Sequence, residues 1–272
     1  MGPSVDDVKA FWDRNPLFTG EAAFDPINPQ RFFDAHDRAY FDDVLVGIDV
    51  ETVFSIPTSG DRVLDLGCGV GFWSSLFSSR YRVADLTSAD LSAKSLEICR
   101  LRVPGSKTAQ QNAESLTFAD AEFSFVNCQG VIHHTPDTDA CLREIHRVLK
   151  PSGRASISVY YDNVLLKLVS VCLPLARLAS KGFLRNKGRG RDFSQASSKD
   201  DLVRMYDGLD NPLGKSYSAS EFRAMLTRAG FREVELAFFF FPFRFLKVPV
   251  PQPLKQILVR LFPFMVVANV IK

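Results

Sequence analysis

From Val50 to Lys150, short runs of apolar and β-branched residues alternate with segments whose apolar residues recur at helical spacing. The short runs are typical of strands buried on both faces, and the longer segments are typical of amphipathic helices. This alternation predicts βαβ units and a parallel sheet. The predicted strands are Val63–Leu66, Leu86–Asp90, Thr108–Gln111, Phe123–Cys128 and Ala155–Tyr160.

Helices are expected between these strands, the first two over Phe72–Ser79 and Ala93–Arg102. A third should begin after Thr135 and Pro136, which offer an N-cap and a proline at the first helical position. Pro151–Gly153 should end it. Its apolar stripe has the spacing i, i+1, i+4, i+7, i+8 and consists of Cys141, Leu142, Ile145, Val148 and Leu149.

The pattern changes after Tyr160. An apolar helix is expected over Val164–Leu178, and the glycine-rich basic run Lys181–Arg191 that follows should be a loop. A capped helix should begin at Ser218 and end at Gly230. The elements predicted beyond it are a strand over Phe231–Phe241, a helix over Pro253–Phe262 and a strand over Met265–Lys272.

Composition narrows the class of protein. The 272 residues are 46% hydrophobic and 24% charged, and lysine plus arginine (33) nearly balance aspartate plus glutamate (31), so a dedicated nucleic-acid binder is not expected. Five cysteines without CxxC spacing and four histidines form no legible metal framework, so no metal is expected. Reduced thiols, an N-terminus unlike a signal peptide, and apolar runs well short of the ~20 residues that span a bilayer favour a cytoplasmic protein, soluble or peripheral.

Candidate chemistry begins where the first predicted strand ends. Gly67, Gly69 and Gly71 separate that strand from a helix, so backbone N–H groups and a helix N-terminus face any ligand that approaches closely. Two other interpretations stay open from this segment alone. One is a tight turn without a ligand, and the other is a dinucleotide site, although its Gly-x-Gly-x-x-Gly spacing differs from the spacing here.

Two carboxylates favour a nucleoside ligand. Asp65 lies two residues before the first glycine, and Asp90 ends the second predicted strand 25 positions later. A carboxylate at that strand end can accept hydrogen bonds from both hydroxyls of a ribose. Asp85 competes for this role, but its place before or early in the strand favours a solvated surface charge.

Four motifs occur in order along the chain: Val63–Gly71, Asp90–Ser92, Val131–Asp137 and Glu144–Gly153. Together they resemble the class I S-adenosylmethionine-dependent methyltransferases, above all the small-molecule group that includes quinone, sterol and phosphobase methyltransferases. The resemblance implies an α/β, Rossmann-like fold with a seven-stranded, mostly parallel sheet, helices on both faces and an antiparallel last strand pair. The implied division is a helical lid at 1–49, a cofactor-binding core at 50–161, a helical and basic-loop insertion that shapes the acceptor pocket at 162–217, and the last helix and strands of the same domain at 218–272.

The resemblance also implies S-adenosylmethionine as cofactor and assigns residues to it. The loop Gly67, Cys68, Gly69 and Gly71 would hold the methionine and ribose portion, Asp65 would orient the amino end through the loop, and Asp90 with Leu91 would bind the ribose. Asn112 and Ala113 stand where the family usually has Asp-Ala beside adenine, and the amide supplies the same acceptor without the charge. Cys128 and Gln129 would face the methionine moiety, although a buried small residue is the simpler interpretation of Cys128.

His133 is the candidate catalytic residue. It follows the fourth strand, at the carboxyl edge of the sheet, and an imidazole can remove a proton near neutral pH. In phosphobase methyltransferases a histidine at a similar place belongs to the active site. The alternative is that His133 and His134 only cap the following turn.

The acceptor pocket should draw on several segments. Trp12 lies in a short aromatic helix similar to lids that close over cofactor and substrate in this family. His134, Tyr160, Tyr161, Tyr206 and Asn211 offer polar groups near the same edge of the sheet.

The expected reaction is methyl transfer to a small, partly hydrophobic acceptor through oxygen, nitrogen or carbon. The alternatives are an acceptor-free cyclisation or elimination of the cofactor, and a noncatalytic cofactor-binding module. Nucleic acid is not expected as a partner. The segments Val164–Leu184 and Phe238–Phe264 combine many apolar residues with interspersed cations, which suggests peripheral membrane or lipid contact, a cap over the pocket or a homodimer interface.

Overall fold

The computed structural model describes residues 2–16, 24–171, 198–208, 210–243 and 250–272. The helices are α1 (Val5–Arg14), α2 (Pro29–Ala39), α3 (Val50–Val53), α4 (Phe72–Ser79), α5 (Ala93–Arg102), α6 (Thr138–Val148), α7 (Val164–Val171), α8 (Lys199–Asp207), α9 (Ala219–Arg228) and α10 (Gln252–Leu261). The strands are β1 (Arg62–Leu66), β2 (Asp85–Asp90), β3 (Lys107–Gln110), β4 (Phe123–Gln129), β5 (Leu149–Tyr161), β6 (Ser216–Tyr217), β7 (Arg232–Phe239) and β8 (Met265–Ile271). Tyr40–Val44 forms a π-helical turn and Ile132–His134 a 3₁₀ turn. The predicted loop Lys181–Arg191 and the end of the helix predicted over Val164–Leu178 lie outside the described residues.

One sheet organises these elements. Its strands follow the order β3-β2-β1-β4-β5-β8-β7, and the short strand β6 pairs with the end of β5. The pairs from β3 to β5 are parallel, whereas β8 runs antiparallel to both β5 and β7. The predicted seven-stranded, mostly parallel sheet with an antiparallel end is confirmed, and β6 is an addition.

Side-chain alternation builds a helical layer on each face of the sheet. Successive residues of a strand point to opposite faces, so Phe125 packs with Phe77 of α4 while Val126 packs in the cluster that contains Leu142 of α6 and Phe222 of α9. Each of these five side chains is fully buried. Burial of a large apolar side chain stabilises the fold by roughly 1.5–3 kcal/mol, so these layers hold the strand ends in place.

The start of α6 corrects one prediction. Asp137, rather than Thr135, is the N-cap, and its side chain accepts a 2.9 Å hydrogen bond from the Ala140 N–H. The Thr135 hydroxyl instead donates to the carbonyl of Ile132 at 2.7 Å, which closes the 3₁₀ turn. Pro136 therefore precedes the helix and does not occupy its first position.

Strand β5 is longer than predicted. It starts at Leu149, and Pro151–Gly153 lie within it, where its pairing with β4 is irregular. Ser152 has φ +60°, a left-handed conformation that bends the chain locally without ending the strand.

Exposed apolar side chains gather on two helices. Leu254, Ile257 and Leu261 are 46–62% exposed on α10, and Val164 and Leu168 are similarly exposed on α7. No helix within the described ranges is both long enough and apolar enough to cross a bilayer. Lipid contact and homodimer formation stay predictions.

Candidate functional site

The glycine loop after β1 requires glycine at its first position. Gly67 has φ +73°, and a Cβ placed there would lie 2.1 Å from Cγ2 of Val131. The N–H groups of Gly67 and Cys68 both donate to the carbonyl of Ala89, at 2.7 and 2.9 Å. These bonds fix the loop against the end of β2, which brings Gly69 next to Asp90.

Asp90 closes the same site from the end of β2. Its Oδ2 accepts the Gly69 N–H at 2.8 Å, and its Oδ1 accepts the Ser92 N–H at 2.8 Å. Burial raises the pKa of Asp90 to about 6, although the backbone hydrogen bonds oppose this shift. Each carboxylate oxygen keeps further lone pairs, so Asp90 can still accept hydrogen bonds from a ribose.

Asp65 is one shell further inside. Its Oδ2 accepts from the Ser74 hydroxyl at 2.5 Å and its Oδ1 from the Asn127 amide at 2.8 Å. Burial raises its pKa to about 6. Asp65 is not among the residues that line the two cavities described below, and it ties α4 and β4 to the start of the loop.

A cavity that we call the glycine-loop cavity opens over this loop. The predicted cofactor residues that line it are Gly67, Gly69, Asp90, Leu91, Asn112, Ala113 and Gln129, and Trp12 and His134 line it as well. Cys68, Gly71 and Cys128 do not. Cys68 packs on Cys99, Gly71 caps α4 and Cys128 lies in the core, where burial raises the pKa of its thiol.

Asn112 keeps acceptor capacity in this cavity. Its Oδ1 already accepts the Glu114 N–H at 3.0 Å, and the second lone pair of this amide oxygen is compatible with the adenine contact predicted for it. Gln111, which sequence reasoning missed, lines the cavity too, and its amide is paired twice with Thr117.

A second cavity adjoins the first, and we call it the aromatic cavity. It shares Trp12, Gln129, Gly130 and His134 with the glycine-loop cavity. Its remaining described lining residues are Tyr40, Val44, Leu45, Phe54, Trp73, His133, Ser158, Tyr160, Tyr206, Asp207, Phe239, Phe240 and Met265. Most of its polar side chains come from the ends of β4 and β5, from the 3₁₀ turn after β4 and from α8, and we call this part of the cavity its polar end.

His133 lies at this polar end. It is 1% exposed, and its ring centroid lies 4.3 Å from that of Tyr160. Burial lowers the pKa of His133 well below its usual value, the neighbouring His134 adds to the shift, and a hydrogen bond to the Ser158 backbone opposes it. His133 is therefore neutral near pH 7 and able to accept a proton.

His134 is held by two acceptors. Its Nδ1 lies 2.7 Å from the carbonyl of Leu213, and its Nε2 lies 3.3 Å from Oδ2 of Asp207. The same Oδ2 accepts the hydroxyl of Tyr160 at 3.0 Å. A carbonyl cannot donate, so Nδ1 carries a hydrogen and donates it to Leu213. Sequence reasoning missed Asp207, although it follows the predicted pocket residue Tyr206 directly.

Of the other predicted pocket residues, Tyr206 lines a cavity, whereas Tyr161 and Asn211 do not line either of the two. Tyr206 lines the aromatic cavity beside Tyr160, but Tyr161 points to the opposite face of the sheet and packs on Phe238, with ring centroids 4.8 Å apart. Asn211 is not among the residues that line either cavity. It is 1% exposed and stabilises the turn after α8, where its Oδ1 accepts the Leu213 N–H at 3.2 Å.

Comparison with known proteins identifies the class. The family model for a methyltransferase domain matches residues 64–157. The chain is 31% identical to a ubiquinone biosynthesis O-methyltransferase of Pseudomonas aeruginosa over 58% of this chain and 72% of that protein. It is 35% identical to a fatty-acid O-methyltransferase of Mycolicibacterium smegmatis, but this match spans only 38% of each chain. Among solved structures, the [4+2]-cyclase SpnF superposes with a TM-score of 0.56 at 16% identity, over 100% of this chain and 97% of that one, which is a likeness of fold.

The chain belongs to the class I S-adenosylmethionine-dependent methyltransferases. Its cofactor is S-adenosylmethionine. The glycine-loop cavity fits this group, since the loop can approach a ligand closely only with glycine at Gly67, where a Cβ would overlap Val131, and Asp90 presents a partly buried carboxylate to the cavity.

Proposed function

We propose that this protein transfers the methyl group of S-adenosylmethionine to an oxygen atom of a small acceptor with an apolar body. The observation that carries the proposal is that the two cavities adjoin at four residues that line both, Trp12, Gln129, Gly130 and His134. An acceptor in the aromatic cavity would lie next to the cofactor in the glycine-loop cavity at this junction. Both relatives described above are named O-methyltransferases, which supports oxygen as the attacked atom.

In this proposal the cofactor residues have distinct roles. Gly67 and Gly69 bring the backbone close to the methionine and ribose portion, Asp90 accepts the ribose hydroxyls, and Asn112 with Ala113 flanks the adenine. Bound S-adenosylmethionine supplies the electrophilic methyl group. The chain's own contribution is to bind and orient the two partners and to exclude water between them.

His133 is the proposed proton acceptor. Its neutral imidazole lies at the polar end of the aromatic cavity, where a hydroxyl group of the acceptor would lie. Removal of the hydroxyl proton during attack would make the oxygen a better nucleophile. His134 is unsuited to this role, because both its ring nitrogens are engaged by Leu213 and Asp207.

Calorimetric titration with S-adenosylmethionine and S-adenosylhomocysteine tests the proposal, followed by mass spectrometry of the recovered nucleotides with and without a panel of hydroxylated acceptors. We expect binding of both nucleotides, no turnover without an acceptor, and S-adenosylhomocysteine plus an O-methylated product with one. Breakdown of the cofactor without an acceptor would contradict the proposal and favour cyclisation or elimination. Tight binding without turnover on any acceptor would favour a noncatalytic module.

A further inference from the structure

The polar atoms that the fold leaves without partners in the aromatic cavity indicate what an acceptor must bring. Oε1 of Gln129 and Nδ1 of His133 are buried and have no hydrogen-bond partner among the described residues. Both residues line this cavity, and Gln129 lies where it adjoins the glycine-loop cavity. A buried polar group without a partner costs about 1–3 kcal/mol, so a ligand that satisfies these atoms gains affinity from them.

The Gln129 oxygen calls for a donor. The Gln129 amide is oriented by its nitrogen, which donates to Asn127 and Ser156, so the atom left over is the carbonyl oxygen, an acceptor. His133 is neutral and carries one ring hydrogen. Its unpaired Nδ1 therefore calls for a donor or an acceptor, according to which ring nitrogen holds that hydrogen.

These two atoms select among the polar groups that an acceptor could carry. A hydroxyl group carries one hydrogen and two lone pairs, so it can donate to one of these atoms and accept a further hydrogen bond. A carboxylate or phosphate ester in its charged form only accepts, and an ammonium group only donates.

The charges of the residues that line the aromatic cavity favour the same class of acceptor. No lysine or arginine is among the described residues that line the aromatic cavity. The one carboxylate among them, Asp207, contacts the His134 ring and accepts the Tyr160 hydroxyl, so it adds no positive charge to this wall. An anionic headgroup would therefore lose its hydration without gaining a charged donor, which is costly. The cofactor's sulfonium is a cation, but it has no N–H or O–H group and cannot act as a charged hydrogen-bond donor to such a headgroup.

We infer that the aromatic cavity binds a neutral acceptor whose polar end is a hydroxyl group on an apolar, ring-sized body, and that it rejects carboxylates and phosphate esters. The aromatic rings of Phe54, Trp73, Phe239 and Phe240 form the apolar part of the wall. This inference rests on the proposed function and narrows it, because it separates this chain from a fatty-acid carboxyl methyltransferase.

Intrinsic fluorescence provides a direct readout, because the protein has two tryptophans and both line this cavity. The protein is saturated with S-adenosylhomocysteine and titrated with four probes that share one ring: benzyl alcohol, benzoate, phenyl phosphate and toluene. Trp12 borders both cavities but Trp73 borders only the aromatic one, so a signal that survives in Trp12→Phe reports the aromatic cavity.

We expect benzyl alcohol to bind at least about 10-fold more tightly than benzoate or phenyl phosphate, since the anions lose hydration without a charged partner. His133→Phe keeps a ring of similar size. It should bring the affinity for benzyl alcohol close to the affinity for toluene and leave the affinity for toluene unchanged. Equal or tighter binding of benzoate, or no response to benzyl alcohol, would overturn the inference.

A transfer assay on matched longer alcohols and carboxylates separates the two claims. Methylation of the carboxylates in preference to the alcohols would overturn the inference and leave the proposed methyl transfer intact. Selective binding of alcohols without methyl transfer to any compound would leave the inference intact and overturn the proposed methyl transfer.

Discussion

Asp90 affects stability and cofactor binding in opposite ways, because its protonated form favours the folded free protein and its charged form favours ribose binding. Its carboxyl accepts the N–H groups of Gly69 and Ser92, and burial raises its pKa to about 6, above the value of 3.8 for an exposed aspartate. Because the folded-state pKa is raised, the free protein holds the Asp90 proton more tightly than the unfolded chain does. Stability from this group is therefore present at low pH and is lost as the pH rises from about 4 to about 6.

The first prediction concerns this pH dependence. Between pH 4.5 and 7.5, the free energy of unfolding of the wild type should fall by about 2 kcal/mol relative to Asp90→Asn, because only the carboxyl must ionise in a buried place. Urea unfolding at the two pH values measures the difference. Asp85→Asn is the control and should give no such fall, since Lys107 lowers the pKa of that exposed carboxyl. A pH-independent difference for Asp90→Asn would contradict the prediction.

The second prediction concerns cofactor affinity. Asp90→Asn should weaken S-adenosylhomocysteine binding about 10- to 100-fold, because hydrogen bonds from ribose hydroxyls to a carboxylate are worth about 1.5–3 kcal/mol. Wild-type affinity should also fall as the pH drops below about 6, where Asp90 takes up a proton. Calorimetry at pH 5, 6 and 7.5 tests both parts. If a folded Asp90→Asn protein binds S-adenosylhomocysteine with wild-type affinity, Asp90 does not bind the ribose.

At the scale of elements, the loop from β1 to α4 depends on one glycine. Gly67→Ala should cost at least about 2 kcal/mol and abolish cofactor binding, because the residue needs φ +73° and its Cβ would overlap Val131. Gly105→Ala is the matched control, since a Cβ there meets nothing within 4 Å. Val131→Ala in the Gly67→Ala background should recover part of the stability, because it removes the overlap but not the strained φ. Denaturant unfolding of the four proteins measures these differences, and equal costs at both glycines would refute the account.

Helix α8 depends on a polar attachment to the sheet edge. Asp207, its last residue, accepts the Tyr160 hydroxyl from β5 and contacts His134 in the 3₁₀ turn. Asp207→Leu should cost about 3 kcal/mol, because it removes an acceptor of the buried Tyr160 hydroxyl and the polar contact with His134. Asp207→Asn keeps an oxygen for the Tyr160 hydroxyl and should cost less, about 1–2 kcal/mol. Urea denaturation gives both values. A leucine variant as stable as the asparagine variant would mean that the attachment contributes no stability.

The sequence predicts elements well where one local pattern decides them. The bounds of α4 and α5 match the predictions residue for residue, because helical spacing, caps and flanking strands agree there. The start of α6 was predicted wrongly because Thr135 and Asp137 are both good N-caps, and only the tertiary fold gives Thr135 another partner, the carbonyl of Ile132. Helix α2 and the π-helical turn at Tyr40–Val44 were not predicted, although Pro29 in the first turn of α2 and the buried residues Phe32, Phe33 and His36 on one face mark that helix. Tyr40 and Val44 line the aromatic cavity.

At the scale of the whole molecule, both cavities are assembled from distant parts of the chain. Residues that follow β1, β2 and β4 could be foreseen, because the carboxyl ends of parallel strands meet at one edge of a sheet. Tyr161 could not be separated from Tyr160 without knowing which face of β5 is covered, and the structure turns the two to opposite faces. Asp207 comes from the insertion, whose docking onto the sheet no local pattern specifies.

The assembly of the glycine-loop cavity from α1, the loop after β1 and the ends of β2 and β4 makes cofactor binding a property of the folded chain alone. S-adenosylhomocysteine at about 100 times its dissociation constant should therefore stabilise the protein by about 2.7 kcal/mol and raise its melting temperature by roughly 5–10 °C. Trp12→Ala removes the contact that α1 makes with the His134 ring, 5.3 Å between centroids, and should reduce this rise at the same nucleotide concentration. Arg14→Ala, at the solvent-exposed end of the same helix, should retain it. Differential scanning fluorimetry with an external dye measures all three proteins, because the loss of Trp12 would distort an intrinsic signal. An undiminished rise in Trp12→Ala would mean that α1 packs beside the cofactor without contributing to its binding.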